Sequence, residues 1–390
     1  MILLLACTAT PDSAVQDHLT EEALREVAEQ VVGLGPRTSG TPVEEQARAL
    51  MQTLFEEAGL SEVRSEPFDW TLWSREGDAT LTVGNQVLPG MAWSPSPGGT
   101  LTGVLAQGEV TGKVALSRSG EVSRAEAFAN AWLGGALGLV HISEEVDADG
   151  TDLIEVGHTL DGVSLPAMAV NAESGEELAV GKTVTLDIAA STRPHTSSNV
   201  LGVVHGSAEG LGPIFVTAHY DSWDISECAF DNGLGAAGLV LLARQLAQGP
   251  VPSRTVVFLA MAAEEQGVQG AQAWVAQNEE WARAGALVLN LDVMWSAEGS
   301  YWINADKDRH RDLAIEVATQ EGLEPRDGGA PSPSSDHLAF QGRGVPAFWA
   351  TRQPDRHYHT THDRLEFLDL EQSAAALRVN WALLADEAGL

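Results

Sequence analysis

The chain has 390 residues, 44% of them apolar, enough for ordinary hydrophobic cores in two domains. Its 55 acids against 22 bases leave a formal net charge of −33, a surface that repels nucleic acid and anionic membrane and argues against both as partners. This excess of acid reads as a solvated face, with attraction of cationic peptides as the alternative.

The first residues, Met1-Ile2-Leu3-Leu4-Leu5-Ala6-Cys7, are too few to span a bilayer, which takes about 20 apolar residues, and lack the basic start of a full secretion signal. Leu4-Leu5-Ala6-Cys7 resembles the end of a bacterial lipoprotein signal. Residues 1–19 then form a leader and tether, with a lipid anchor at Cys7 on an exported protein, periplasmic or held at the membrane. A cleaved signal without lipid and a cytosolic protein are the alternatives. The remaining cysteine, Cys228, reads as a small packing residue, its approach to a functional site being the other reading.

Thr20 before Glu21-Glu22 caps a helix that Gly33-Leu34-Gly35-Pro36-Arg37 breaks. The spacing of Ala47, Leu50, Met51, Leu54 and Phe55 predicts a second helix over 42–58, stopped by Gly59. Residues 63–73 alternate as a strand. From about 76 to 190 the texture changes. Short β-like runs such as 79–83 and 113–117 alternate with turns like Ser94-Pro95-Ser96-Pro97-Gly98-Gly99, and a helix over 124–134 precedes the apolar run 136–142. His141 and His158 fall in this block, each read as a surface or hydrogen-bonded residue rather than a ligand. From Ser198 onward strands alternate with helices over 235–248, 269–279, 309–321 and 370–388, the pattern of βαβ units and parallel strands.

In that last part, acids and histidines fall where apolar runs end. Residues 213–218 lead into His219-Tyr220-Asp221, 254–261 to Glu264-Glu265, and 286–291 to Asp292; 345–350 is followed by His359. Phe230-Asp231-Asn232-Gly233 stands just before a helix. Beyond the carboxyl ends of neighbouring parallel strands such side chains share one crevice. Imidazole and carboxylate together make a nitrogen-and-oxygen site suited to zinc. His219 and Asp221 share one face of an extended segment, so the carboxylate is able to hold the imidazole's other N–H. Glu264 and Glu265 point apart: one ligates while the other faces the water to be activated, with a polar helix start as the bland alternative.

His219-x-Asp221, Asp231-Asn232-Gly233, Ala263-Glu264-Glu265-Gln266-Gly267, Asn290-Leu291-Asp292, Ser335-Asp336-His337 and Tyr358-His359 resemble, in order and spacing, the M28 family of di-zinc exopeptidases. The resemblance implies a three-layer α/β/α fold with a mixed, mostly parallel sheet, built from residues 20–75 and 191–390. Residues 76–190 resemble an inserted, β-rich protease-associated (PA) domain, Leu165-Pro166-Ala167-Met168-Ala169-Val170 matching its late strand. It further implies two zinc ions, other divalent metals being the alternative, with His219 and Asp292 on one, Glu265 and His359 on the other, and Asp231 bridging. Glu264 would be the general base of a metal-activated water, Asp221 the partner of His219, and Tyr358 a stabiliser of the oxyanion. The peptide after Asp231 would be cis. His357 and His362 compete with His359, which best fits the family's Tyr-His pattern. Asp336 and His337 lie near the site without being ligands.

The implied activity is hydrolysis of amino-terminal peptide bonds or of dipeptides, Asp221-Ser222-Trp223-Asp224 being closest to the carboxypeptidase Q-like branch. Arg343, Arg352 and Arg356 are candidates for holding a substrate carboxylate, with surface salt bridging as the alternative. A single-zinc glutaminyl cyclase and a catalytically silent binding module are the rival readings.

Overall fold

A computed structural model describes residues 17–143, 154, 163–296 and 298–390. Cys7 and His158 lie outside the described residues. Helices α1 (Glu21–Val32) and α2 (Pro42–Ala58) start where hydroxyls take up free amides: Thr20 accepts from Ala23 and Thr41 from Glu44. Gly59, at φ 93°, ends α2 in the left-handed conformation that glycine adopts at little cost.

Strand β1 (Ser61–Arg75) then leads into β2 (Ala79–Val83), β3 (Gln86–Ala92), β4 (Gly99–Ala106), β5 (Val114–Arg118), α3 (Arg124–Leu133), β6 (Gly138–Ile142), β7 (Ala167–Val170), α4 (Ala172–Glu176) and β8 (Thr183–Ile188). Strands β2 to β8 close into a barrel in the order β2-β3-β7-β6-β5-β4-β8. Closure removes the unpaired edges of so many short strands. Its apolar interior, with Leu81, Val114, Met168 and Leu186 fully buried, also takes in Trp73, Trp223 and Cys228 from outside the barrel.

The chain returns along β9 (Ala190–Val204), which pairs antiparallel with β1 from Arg75↔Ala190 to Ser61↔Val203. Only the later part of β9 is apolar. Its first half, Ala190 to Ser197, is polar and largely exposed, so backbone pairing with β1 rather than side-chain burial makes it a strand. That is why the sequence pattern reveals the strand only from Ser198.

The remaining elements are β10 (Ile214–His219), α5 (Leu234–Ala247), β11 (Val256–Met261), α6 (Gln269–Gln277), α7 (Glu279–Arg283), β12 (Leu287–Asn290), β13 (Ser300–Ala305), α8 (Asp308–Gln320), β14 (Pro325–Gly329), α9 (His337–Gln341), β15 (Ala347–Gln353) and α10 (Leu370–Ala388). They complete an 8-stranded sheet in the order β1-β9-β11-β10-β12-β15-β13-β14. Its centre, β11-β10-β12-β15, is parallel, flanked by the antiparallel pairs β9-β11 and β13-β15. Every residue of β10, β11 and β12 is buried, as expected for parallel strands covered on both faces. Ile214, Val216 and Ala218 pack with α1, α2, α5, α8 and α10, whereas Phe215 packs with α6, α7 and α9.

Helix α5 lies at the centre of the first layer, and Leu241 on it is fully buried. Leu241→Ala is expected to lower unfolding stability by about 2–5 kcal/mol, the usual cost of a core leucine cavity. A urea midpoint unchanged from the parent chain would contradict this packing.

Candidate metal centre

Three parallel strands end on one crevice. His219 is the last residue of β10; Glu264 and Glu265 follow the end of β11, and Asp292 follows β12. The loop after β15 brings in His359, at φ 60°. Asp231 sits in a wide turn between Ala229 and Gly233, immediately before α5. The Asp231–Asn232 peptide is cis.

Asp231 stands between the two histidines. Its Oδ1 is 3.1 Å from His219 Nε2, and its Oδ2 is 2.9 Å from His359 Nε2. Asp292 Oδ1 lies 3.2 Å from His219 Nε2. On the other side Glu265 Oε2 lies 3.4 Å from His359 Nε2. Glu264 Oε2 is 4.0 Å from His219 Nε2, and its side chain is 11% exposed.

The positions are held from behind. Both oxygens of the Asp221 carboxylate accept backbone N–H groups, from Glu264 at 3.0 Å and Glu265 at 3.3 Å. His219 Nδ1 faces the Asp221 carbonyl at 3.2 Å, nearer than the carboxylate at 3.7 Å. Asp221 thus orients the glutamate pair with its side chain and meets the imidazole chiefly through its backbone. Asp363 does the same for the turn, accepting from Phe230 at 2.6 Å and Asp231 at 2.9 Å. Asn232 Nδ2 donates to Leu291 O at 2.8 Å, tying the turn to the strand end that carries Asp292. Gly235 permits this approach, because a Cβ there would lie 2.1 Å from Asn232 Oδ1 and 2.5 Å from Leu291 O.

Electrostatically the protein alone is short of positive charge here. Burial disfavours a proton on His219, yet Asp292 and Glu264, with Asp221 and Asp231, outweigh it and raise the imidazole well above its ordinary pKa. Burial drives the Glu264 and Glu265 carboxyls well up, with Asp292 adding at Glu264 and Asp231 at Glu265. Asp231 runs the other way: burial opposes its charge, but hydrogen bonds to His219 and His359 hold it below the usual carboxylate range. Burial pushes Asp363 up to about 7 and Asp336 to about 8. A bound dication would supply the missing charge and keep such carboxyls ionised. The donor set fits one: ligand atoms of His219, Asp231 and Glu265 all lie within 4.8 Å of one another. Glu265 Oε1 and both Asp336 oxygens are buried without a hydrogen-bond partner.

The rival histidines are elsewhere. His357 stacks on Phe367 at 4.8 Å in a turn rather than on a strand, and His362 Nδ1 faces Thr361 Oγ1. His337 packs against Trp349 and faces Ser332 O at 2.8 Å. Tyr358 stacks on His359 at 3.9 Å, and burial pushes its phenol well up, keeping it a proton donor. Arg343 faces Glu279 and Arg356 pairs with Glu298, while Arg352 covers Trp295. The cation beside Tyr358 is Arg124 of α3, 5.4 Å from the ring. Arg124 comes from the block between residues 76 and 190 and carries no local sequence signal for this place, whereas Asp363 follows His359 closely. Cys228 is buried with its thiol pushed up by burial, which suits packing and not nucleophilic chemistry.

Residues 199–384 match peptidase family M28, and residues 82–178 match the PA domain. The aminopeptidase YwaD of Bacillus subtilis (strain 168) is 27% identical over 95% of this chain and 87% of its own length. Carboxypeptidase Q of Homo sapiens is 26% identical over 66% of this chain and 61% of its own. The structure of BSAP, a zinc aminopeptidase from Bacillus subtilis, shares the fold at a TM-score of 0.77 and 22% identity, covering 95% of this chain and 96% of that one. With the two family matches lying over the sheet and the barrel respectively, the chain carries a peptidase family M28 domain over residues 199–384 and an inserted PA domain over 82–178, the make-up of a metallo-exopeptidase.

Proposed function

We propose that this chain hydrolyses amino-terminal peptide bonds with two zinc ions, His219 and Asp292 holding one, His359 and Glu265 the other, and Asp231 both. The observation that carries the reading is the Asp231 carboxylate, whose two oxygens face different imidazoles at 3.1 and 2.9 Å. Zinc, when bound, would supply Lewis acidity and lower the pKa of an attacking water. Glu264, set by the Asp221 carboxylate, takes the proton of that water and returns it to the departing amine. The Tyr358 hydroxyl donates to the oxygen that gains negative charge, an interaction that strengthens only as the charge develops.

The same reading takes residues 20–75 and 191–390 as the peptidase unit and 76–190 as the insert. It is supported by the adjacency of Arg75 and Ala190 on the paired strands and by the barrel's own closure. Among the described residues no helix is long and apolar enough to cross a membrane. The Leu4-Leu5-Ala6-Cys7 run supports export with a lipid on Cys7, which the mass of the amino-terminal peptide tests.

Hydrolysis of free dipeptides is the second reading, favoured by the Arg124 guanidinium beside Tyr358 as a partner for a substrate carboxylate. Assays with and without chelator, on aminoacyl amides, free dipeptides and amino-terminal glutaminyl peptides, separate the readings. The expected outcome is chelator-sensitive release of the amino-terminal residue, restored by zinc. Cyclisation of the glutaminyl peptide with one zinc per chain would replace it by the cyclase reading, and inertness on every substrate by the binding-module reading.

A further inference from the structure

His219 and Asp231 sit on the two ends of one loop, and that loop is wrapped around a single side chain. Arg37, in the connection between α1 and α2, is completely buried. Its guanidinium donates from Nε to Tyr220 O at 2.8 Å, from Nη1 to Glu227 O at 2.6 Å and from Nη2 to Cys228 O at 2.9 Å. Its own amide donates to Ser222 Oγ at 2.8 Å. Tyr220 immediately follows His219, and Cys228 O also accepts from Gly233 N, closing the turn that holds Asp231. One planar fork therefore ties the residue after the first histidine to the start of the aspartate turn.

We propose that Arg37 is a positioning residue that sets the separation of His219 and Asp231, and through it the capacity of this site to hold two zinc ions; this rests on the zinc reading above. Three inward carbonyls need donors, and a guanidinium serves acceptors at both ends of a loop because its N–H groups diverge in one plane. A lysine offers its protons from one atom and reaches one end only. The charge has a second use. Burial disfavours it, and the fields of Cys228, Asp363, Asp221 and Glu265 favour it, so the cation lies within reach of the acidic cluster.

The test is a zinc titration of the metal-free full chain against a chromophoric chelator, on the parent, Arg37→Lys, Arg37→Met and Leu54→Ala. Leu54 is a buried core residue of α2 and controls for general destabilisation. Loss of an outer partner of a metal ligand costs about 10- to 100-fold in affinity. Arg37→Met is expected near the upper figure and Arg37→Lys near the lower, while Leu54→Ala binds two zinc ions as the parent does. If Arg37→Met is insoluble, Arg37→Lys against Leu54→Ala decides. A folded Arg37 variant with the parent's titration, or an equal loss in Leu54→Ala, overturns the proposal. A parent chain that takes up fewer than two zinc ions overturns the zinc reading instead.

Discussion

Glu264→Gln is expected to fold, to take up zinc like the parent chain, and to turn over peptide at least about 10²-fold more slowly, the lower end for a lost general base. The amide keeps the shape of the carboxylate, so the backbone bond from residue 264 to the Asp221 carboxylate survives. What it loses is the capacity to accept a proton. Glu264 is placed for that task without being a close ligand: its nearer oxygen is 4.0 Å from His219 Nε2, whereas Asp231 and Asp292 are within 3.2 Å. Burial raises its carboxyl well above the ordinary range, which makes it a better base than an exposed glutamate, and a nearby dication would pull it back toward ionised. Turnover measured alongside zinc content decides. Full activity with both metals present would move the general base to another residue. Glu265→Gln should behave in the opposite way, weakening zinc uptake first, because Glu265 faces His359 and the shared aspartate rather than open crevice.

Asp231→Ala is expected to abolish two-zinc binding and lose activity with it. The two oxygens of Asp231 face different imidazoles at 3.1 and 2.9 Å, so its loss removes a donor from each half of the site at once. Affinity should fall by more than the about 10- to 100-fold that outer partners cost. His219 would still face Asp292, and His359 would still face Glu265, so weak single-ion binding is the expected remnant. Zinc content by elemental analysis after dialysis is the measurement, with thermal melting as the check on folding. Retention of two tightly bound ions by the alanine variant would remove Asp231 from the bridging role.

Much of the peptidase part is legible in the sequence. Helices α2 and α10 span 42–58 and 370–388 as their spacing predicts, because capping groups and stop glycines act within a few residues of one another. The strand ends bearing His219, Glu264-Glu265 and Asp292 are legible for a related reason: along these fully buried strands ionisable groups stand only at or beyond the carboxyl ends. Strands without such a local signal are not. Strand β14, Pro325–Gly329, has almost no apolar content, and it is a strand because β13 supplies its pairing. The barrel strands β3, β4 and β8 were equally hidden, being short and half exposed.

At the site, residue identity determined which groups bear the chemistry, since only imidazole and carboxylate at those positions offer donors for a hard cation. Tertiary structure decided how they meet. A turn leaves the His359 imidazole at Asp231 and stacks that of His357 on Phe367. The fold gives Asp221 to the amides of Glu264 and Glu265, gives Asp363 to the amides of the Asp231 turn, and brings Arg37 under the loop from 183 to 191 residues away in sequence. Sequence patterns report burial and local propensity, which act over a few residues. The partner of a buried donor or acceptor is set by which surfaces the packed layers press together, and its unpaired cost is met only there.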